Sequence, residues 1–246
     1  MKLWHRAGGR GGARRLVLIH GLGANADVWL SMQELLDTRW LAPDLRGHGR
    51  SPHQQPYGLA TYAADVAELL EQDEEIDVVG HSLGGFVGMA LGTGWFGVKV
   101  RKVLAFGVKT HWLPEEVRKL HELARTPARL FDTQEQAIER YLKVSGLFGL
   151  VDPSGAHARS GVKEENGKWR LVTDPMTNSL GRPEIATFLR AMQCPLSLAA
   201  GSDDPIVNQA EMASIDKGAQ LIEGAGHNAQ VDKPAELWRW IQKELA

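Results

Sequence analysis

Ile76-Asp77-Val78-Val79-Gly80-His81-Ser82-Leu83-Gly84-Gly85 is the stretch on which the reading of this chain turns. An apolar run suited to a buried strand leads into a serine fenced by glycines, and from Leu83 to Trp95 apolar side chains recur at helical spacing. The segment reads as a strand, a very tight turn and the start of a helix, with Ser82 at the corner. A serine there adopts a strained backbone conformation, which its neighbours permit only if they carry little side chain; Gly80 and Gly84 meet that need. The turn lifts the hydroxyl off the sheet and aims the backbone N–H of Leu83, at a helix N-terminus, toward the same point. Ser82 thus reads as a nucleophile with an anion-stabilising donor beside it.

Outward from this corner, strands and helices alternate. Upstream, Leu16-Val17-Leu18-Ile19 is a continuous apolar run of the kind covered on both faces. Val28 to Leu36 has helical spacing, with Trp29, Met32, Leu35 and Leu36 on one face. Trp40 to Pro43 is the next strand, and Thr61 to Leu70 an amphipathic helix turning Tyr62, Val66, Leu69 and Leu70 inward. The acidic patch from Glu71 to Glu75 reads as a solvated loop. The glycine- and arginine-rich residues 1 to 15, with Gly8-Gly9-Arg10-Gly11-Gly12, read as a hairpin or loop at a sheet edge. Downstream, Val100 to Phe106 is another strand. This order predicts an α/β fold, a mostly parallel sheet with helices on both faces.

The alternation then breaks. Residues 109–182 give helical segments, Pro114 to Arg125 and Gln134 to Val144, with polar loops and no clear buried strand. They read as a mainly helical lid between a first core part, residues 1–108, and a second, residues 183–246. Trp112, Leu113, Phe131, Phe148 and Leu150 are candidate walls of a pocket beneath it. Alternation resumes with the strands Pro195 to Gly201 and Ala219 to Ile222, and the last helix, Pro234 to Leu245, opens on proline and turns Leu237, Trp238 and Ile241 inward.

Composition narrows the function. With 28 basic and 30 acidic side chains the formal charge is −2, which gives no electrostatic case for nucleic acid or an anionic membrane. The one cysteine, Cys194, excludes an internal disulfide and a thiolate metal cluster, and reads as a small buried apolar side chain. No stretch approaches the ~18 apolar residues of a membrane span, and the first residues lack a signal-peptide core. A cytoplasmic protein is expected.

A serine hydroxyl needs a general base within reach and a group to orient that base. Of nine histidines, His227 combines a position just past a strand with a glycine-flanked loop able to bring it over Ser82. His5, His53, His111, His121 and His157 fall in loops or lid. The orienting acid should follow a neighbouring strand, where Asp203 and Asp204 both stand; Gly107-Val108-Lys109, after the strand before it, has no carboxylate. His20 and His48 lack a metal-ligand motif such as H-E-x-x-H, so no metal and no cofactor are expected.

These segments together resemble the α/β-hydrolase family across nearly the whole chain: His20-Gly21-Leu22-Gly23, Asp44-Leu45-Arg46-Gly47-His48-Gly49-Arg50-Ser51, the Ser82 elbow, Gly201-Ser202-Asp203-Asp204 and Gly224-Ala225-Gly226-His227 stand in the family's order. The resemblance implies Asp204, three residues after its glycine, as the acid and Leu22 as the second oxyanion donor beside Leu83. Asp44 and Arg46 read as holding the loop around the site rather than touching substrate. It implies a serine esterase acting with water on carboxylic esters of short to medium acyl chain. The same triad serves carbon–carbon bond hydrolases and lactonases, and some members with intact triads are small-ligand receptors. Dehalogenation is disfavoured, since that branch carries aspartate where this chain has Ser82.

Overall fold

Consecutive residues of the apolar runs face opposite sides of one sheet and are buried on both. Leu16, Leu18, Val79, Leu104 and Phe106 join one apolar cluster, while Val17, Ile19, Val78, Val103 and Ala105 join another across the sheet. That period-two division, apolar on both faces, is what a parallel sheet sandwiched between helices requires. The computed structural model describes residues 1–11, 14–71, 73–181 and 183–246.

From the N-terminus the chain runs through β1 (His5–Gly8), β2 (Arg15–Ile19), a 3₁₀ helix (Ala26–Met32), β3 (Arg39–Pro43) and α1 (Leu59–Ala67). It continues with β4 (Glu75–His81), α2 (Leu83–Leu91) and β5 (Lys99–Phe106). The sheet resumes at β8 (Leu196–Gly201), followed by α7 (Gln209–Ile215), β9 (Gln220–Ile222), α8 (Ala229–Asp232) and α9 (Pro234–Leu245). Between β5 and β8 lie α3 (Pro114–Arg125), α4 (Gln134–Ser145), α5 (Ala156–Arg159), the hairpin β6 (Val162–Glu165) and β7 (Lys168–Leu171), a 3₁₀ helix (Pro175–Leu180) and α6 (Ile185–Ala191).

Seven strands pair in the order β1-β3-β2-β4-β5-β8-β9, and every pairing is parallel except β1 with β3. The strand order reverses on either side of β2 and β4, so the carboxyl ends of β2, β4 and β5 open on the crevice where α/β sheets bind ligands. In register, Ile19 lies beside Gly80 and His81 beside Phe106.

Several expectations are adjusted. The segment after β2 is a 3₁₀ helix ending at Met32, although Trp29 and Met32 are buried as its spacing implies. The acidic patch is ion-paired: Glu74 meets Arg15 and Arg39, and Asp73 meets Lys99. Gly12, in the glycine-rich segment, and Arg182, the last residue of the expected lid, lie outside the described residues. Cys194 is half-buried rather than enclosed, with its thiol pushed up to about 11 by burial.

The region between β5 and β8 is helical where helices were expected, but it also carries the hairpin, which turns at Asn166 and Gly167 with φ of 53° and 76°. Two positive φ values in a two-residue loop are what an Asn-Gly hairpin turn supplies. Phe131 and Trp169 exchange backbone hydrogen bonds of 2.8 and 2.9 Å, tying the hairpin to the start of α4. The helices differ in how they are held. α4 buries Ala137, Ile138, Tyr141 and Leu142 in the apolar cluster that also contains Trp29 and Phe106. α3 buries only Ala124. Among the described residues, no helix is long and apolar enough to cross a membrane.

Candidate active site

Ser82 stands between β4 and α2 with φ 51° and ψ −113°. A serine holds this left-handed conformation only where its surroundings over-determine it. They do: its N–H donates to the Phe106 carbonyl at 2.9 Å and its carbonyl accepts from the Gly85 N–H at 3.0 Å. Its glycine neighbours are required by close approach. A Cβ on Gly80 would stand 2.3 Å from the Gly84 carbonyl oxygen, and one on Gly84 would stand 2.1 Å from that of Ile19. The Leu83 N–H, first in α2, has no acceptor within its helix and adds the positive end of the helix dipole.

Leu22 lies in the turn after β2, closed by the Ala24 N–H donating to the Gly21 carbonyl at 3.2 Å, with Gly23 at φ 78°. Gly21 is small because a Cβ there would come 2.9 Å from His81 Nδ1 and 3.3 Å from Ser82 Cβ. His20, fully buried, donates from Nδ1 to the Gly21 carbonyl at 2.8 Å and accepts the Leu45 N–H on Nε2 at 3.0 Å. It therefore joins this turn to the loop after β3. Asp44 braces that loop, accepting from the N–H groups of Ala26 (2.7 Å) and Arg50 (2.8 Å), and Arg46 is paired with Asp65.

On the other side of the crevice, His227 Nδ1 lies 2.9 Å from Asp204 Oδ2. A carboxylate can only accept, so the proton sits on Nδ1 and the Nε2 lone pair is left over. Asp204 also accepts from the Ile206 N–H at 2.8 Å. Burial works against its charge, but the bonds from His227 and from the N–H groups of Ile206 and Val207 outweigh burial and hold the carboxyl below its ordinary value. Asp203 is exposed and contacts the Ser202 hydroxyl instead. Among the two aspartates, Asp204 is the one at the imidazole.

Two side chains that sequence reasoning passed over complete the support. His81 occupies the variable position before Ser82, stacks on Phe106 with ring centroids 5.0 Å apart, and donates from Nε2 to the His227 carbonyl at 2.9 Å. It is buried, and burial, followed by the electrostatic cost of a second proton beside His227, pushes its pKa well below the usual histidine value, so it is a neutral seat for the His227 loop. Asn228 donates to the carbonyls of Ser145 (3.2 Å) and Gly146 (3.1 Å), linking the same loop to the end of α4. The signal for His81 was a polar residue ending an otherwise apolar strand; Asn228 has no such signature, because its partners are backbone groups some eighty residues away.

Comparison with known proteins identifies the family to which this fold belongs. The sequence model of the alpha/beta hydrolase family matches residues 16–240. The chain belongs to that family. LipV, a lipase of Mycobacterium tuberculosis, is 27% identical, with the alignment covering 96% of this chain and 95% of LipV. The 3-hydroxybutyrate-oligomer hydrolase of Cupriavidus necator is 26% identical over 95% of this chain and 89% of its own. Among solved structures, E-2-(acetamidomethylene)succinate hydrolase superposes with a TM-score of 0.81 at 20% identity, covering 97% of this chain and 93% of that one. An esterase from Thermogutta terrifontis gives 0.71, also at 20%, covering 99% and 92%. These superpositions show the shared fold.

In this alpha/beta hydrolase, Ser82, His227, Leu22 and Leu83 all line one cavity of about 320 Å³. Its far wall comes from the region between β5 and β8: Trp112, Leu120, Val144 and Leu180, with Phe86 of α2 and Ile206 closing the sides. Of the wall residues expected from sequence, only Trp112 lines it. Phe131 is packed in the core beneath α4, and Leu113, Phe148 and Leu150 are exposed at 44%, 58% and 41%. Helical spacing gives a face to each helix but not the neighbour that face will meet. Lys109, also at the cavity, is neutralised by Glu116 and lies 5.1 Å from the Trp112 ring centroid.

Proposed function

We propose that this hydrolase cleaves carboxylic esters of short to medium acyl chain through a Ser82-His227-Asp204 triad, with residues 109–182 as a cap over the site. The observation that carries the reading is the 2.9 Å contact between His227 Nδ1 and Asp204 Oδ2, with the same imidazole facing the cavity that holds Ser82. His227 Nε2 takes the hydroxyl proton as Ser82 Oγ attacks the ester carbonyl. The negative oxygen of the tetrahedral intermediate is received by the N–H groups of Leu22 and Leu83, each donor of this kind contributing about 3 kcal/mol to the transition state. Asp204 keeps the imidazole in its tautomer and stabilises its charged form. His227 then gives its proton to the departing alkoxide. Water, activated by the same nitrogen, releases the acid and restores Ser82.

The cavity's size supports small ester substrates, since it lies at the low end of the range for ligand pockets, roughly 300–1,000 Å³. A cytoplasmic site of action is proposed from the single cysteine, Cys194, which suits a reducing compartment. The test is turnover of p-nitrophenyl acetate and butyrate by purified protein, together with fluorophosphonate labelling mapped by mass spectrometry. Turnover that Ser82→Ala abolishes, with the label on Ser82, supports the proposal; turnover that survives Ser82→Ala, or a label elsewhere, refutes it. Tight binding of small ligands without turnover would point to a receptor instead.

A further inference from the structure

The cavity at Ser82 has a neighbour. A second cavity, of about 460 Å³, adjoins it, and Leu22, Leu120, Val144 and Asn178 line both. Its walls continue along α3 through Leu123 to Thr126, and across the hairpin through Leu171. From Leu120 to Thr126 is about 9 Å of helix axis at ~1.5 Å per residue, so the space is elongated and leads away from the serine. It is apolar along its length and cationic where it meets solvent: Arg129 and Arg140 both line it, and both are exposed.

Those two charges are not spent on the protein itself. The carboxylates on the same surface are committed elsewhere, Glu139 to Lys143 and Asp132 to Lys168. Arg129 lies over the Phe131 ring at 5.0 Å, and neither arginine forms an ion pair among the described residues. An apolar cavity rimmed by two guanidinium groups that have no carboxylate partner among the described residues is complementary to a carbon chain whose far end is a carboxylate. Leu22, whose N–H is the proposed receiver of the carbonyl oxygen, lines both spaces.

We infer that the second cavity is an acyl subsite for monoesters of aliphatic dicarboxylic acids, with the free carboxylate held at Arg129 and Arg140. The inference rests on Ser82 acting as an ester nucleophile. The experiment compares kcat/KM for mono-p-nitrophenyl adipate, suberate and sebacate with the neutral hexanoate, octanoate and decanoate of matching length. Taking the ratio of charged to neutral ester within each protein cancels differences in active enzyme. In the wild type the ratio should exceed one and peak at one chain length. In Arg129→Ala/Arg140→Ala it should fall by about tenfold, as expected when a charge-assisted contact is lost, and the double lysine variant should recover part of it. Ser82-dependent turnover of neutral esters with a ratio at or below one, or one that the arginine variants leave unchanged, overturns the subsite and leaves the esterase standing. Absence of Ser82-dependent turnover on every ester removes both.

Discussion

The two adjacent aspartates, Asp203 and Asp204, have opposite surroundings, one in solvent and one buried against an imidazole. Asp204→Asn should lower kcat by about 10⁴-fold, because an amide can donate to Nδ1 and stabilise the wrong tautomer; Asp203→Asn should stay within about threefold of wild type. Steady-state ester hydrolysis checks both, and comparable losses would count against the assignment. His81 makes a different demand. Removing its ring leaves a hole between Phe106 and His227 and strips the His227 carbonyl of its donor. His81→Ala should cost about 3 kcal/mol of stability in urea unfolding. At this scale the sequence was informative wherever a residue's type was dictated by its own turn. Ser82, Gly80 and Gly84 were legible because a strained corner admits few alternatives. The roles of His81 and Asn228 were not, since each acts on the backbone of a segment distant in the chain.

The inner strands of the sheet were legible from their apolar runs, because burial on both faces leaves those runs continuous, whereas the edge strand β1, with no buried residue, and the short helices α7 and α8 were not. The hairpin β6–β7 was missed although Glu165-Asn166-Gly167-Lys168 carries a strong turn signal; its strands bury little beyond Val162, so no apolar run announced them. Apart from Trp112, the wall of the cavity was illegible for another reason: which face of α3 or α4 meets Ser82 depends on docking between elements. One prediction belongs to that docking. Asn228, only 1% exposed, holds the end of α4 by two hydrogen bonds and is itself held by Gln230 at 3.0 Å. Asn228→Ala leaves two carbonyls short of a donor and should destabilise the protein by about 2 kcal/mol. Because the loop bearing His227 is released from the same helix, kcat should fall as well. Thermal unfolding beside ester kinetics would reveal it, and an unchanged kcat would show that α4 does not position the imidazole.

Across the whole molecule, three histidines are enclosed within or behind the site in neutral form. Burial lowers His20, against the opposing pull of Asp44 and the Gly21 carbonyl; it pushes His48 down to about 3, helped by His20, and holds His81 well below its ordinary value. In the unfolded chain each titrates near ~6.5. The unfolded state therefore binds protons first as the solution is acidified, and stability falls from about pH 6.5 downward until the folded-state value is reached. Each histidine contributes a slope of at most about 1.4 kcal/mol per pH unit while it is protonated in the unfolded chain and neutral in the fold. Carboxylates such as Asp27 and Asp204, held low in the fold, add their own loss only below ~3.9. Urea unfolding between about pH 7 and pH 5 should show the steep decline, and a flat profile would mean these rings are charged or solvated in the fold.

The unequal anchoring of α3 and α4 has a consequence for time rather than space. α4 shares its apolar contacts with the sheet, so its amides should take up deuterium only when the sheet opens, whereas α3, which fully buries only Ala124 and packs on the 3₁₀ helix Pro175–Leu180 and not on the sheet, should exchange sooner. Trp112 and Leu120, on or just before α3, would then swing as a shutter within a fixed frame, and the width of that aperture would set how large an ester can enter.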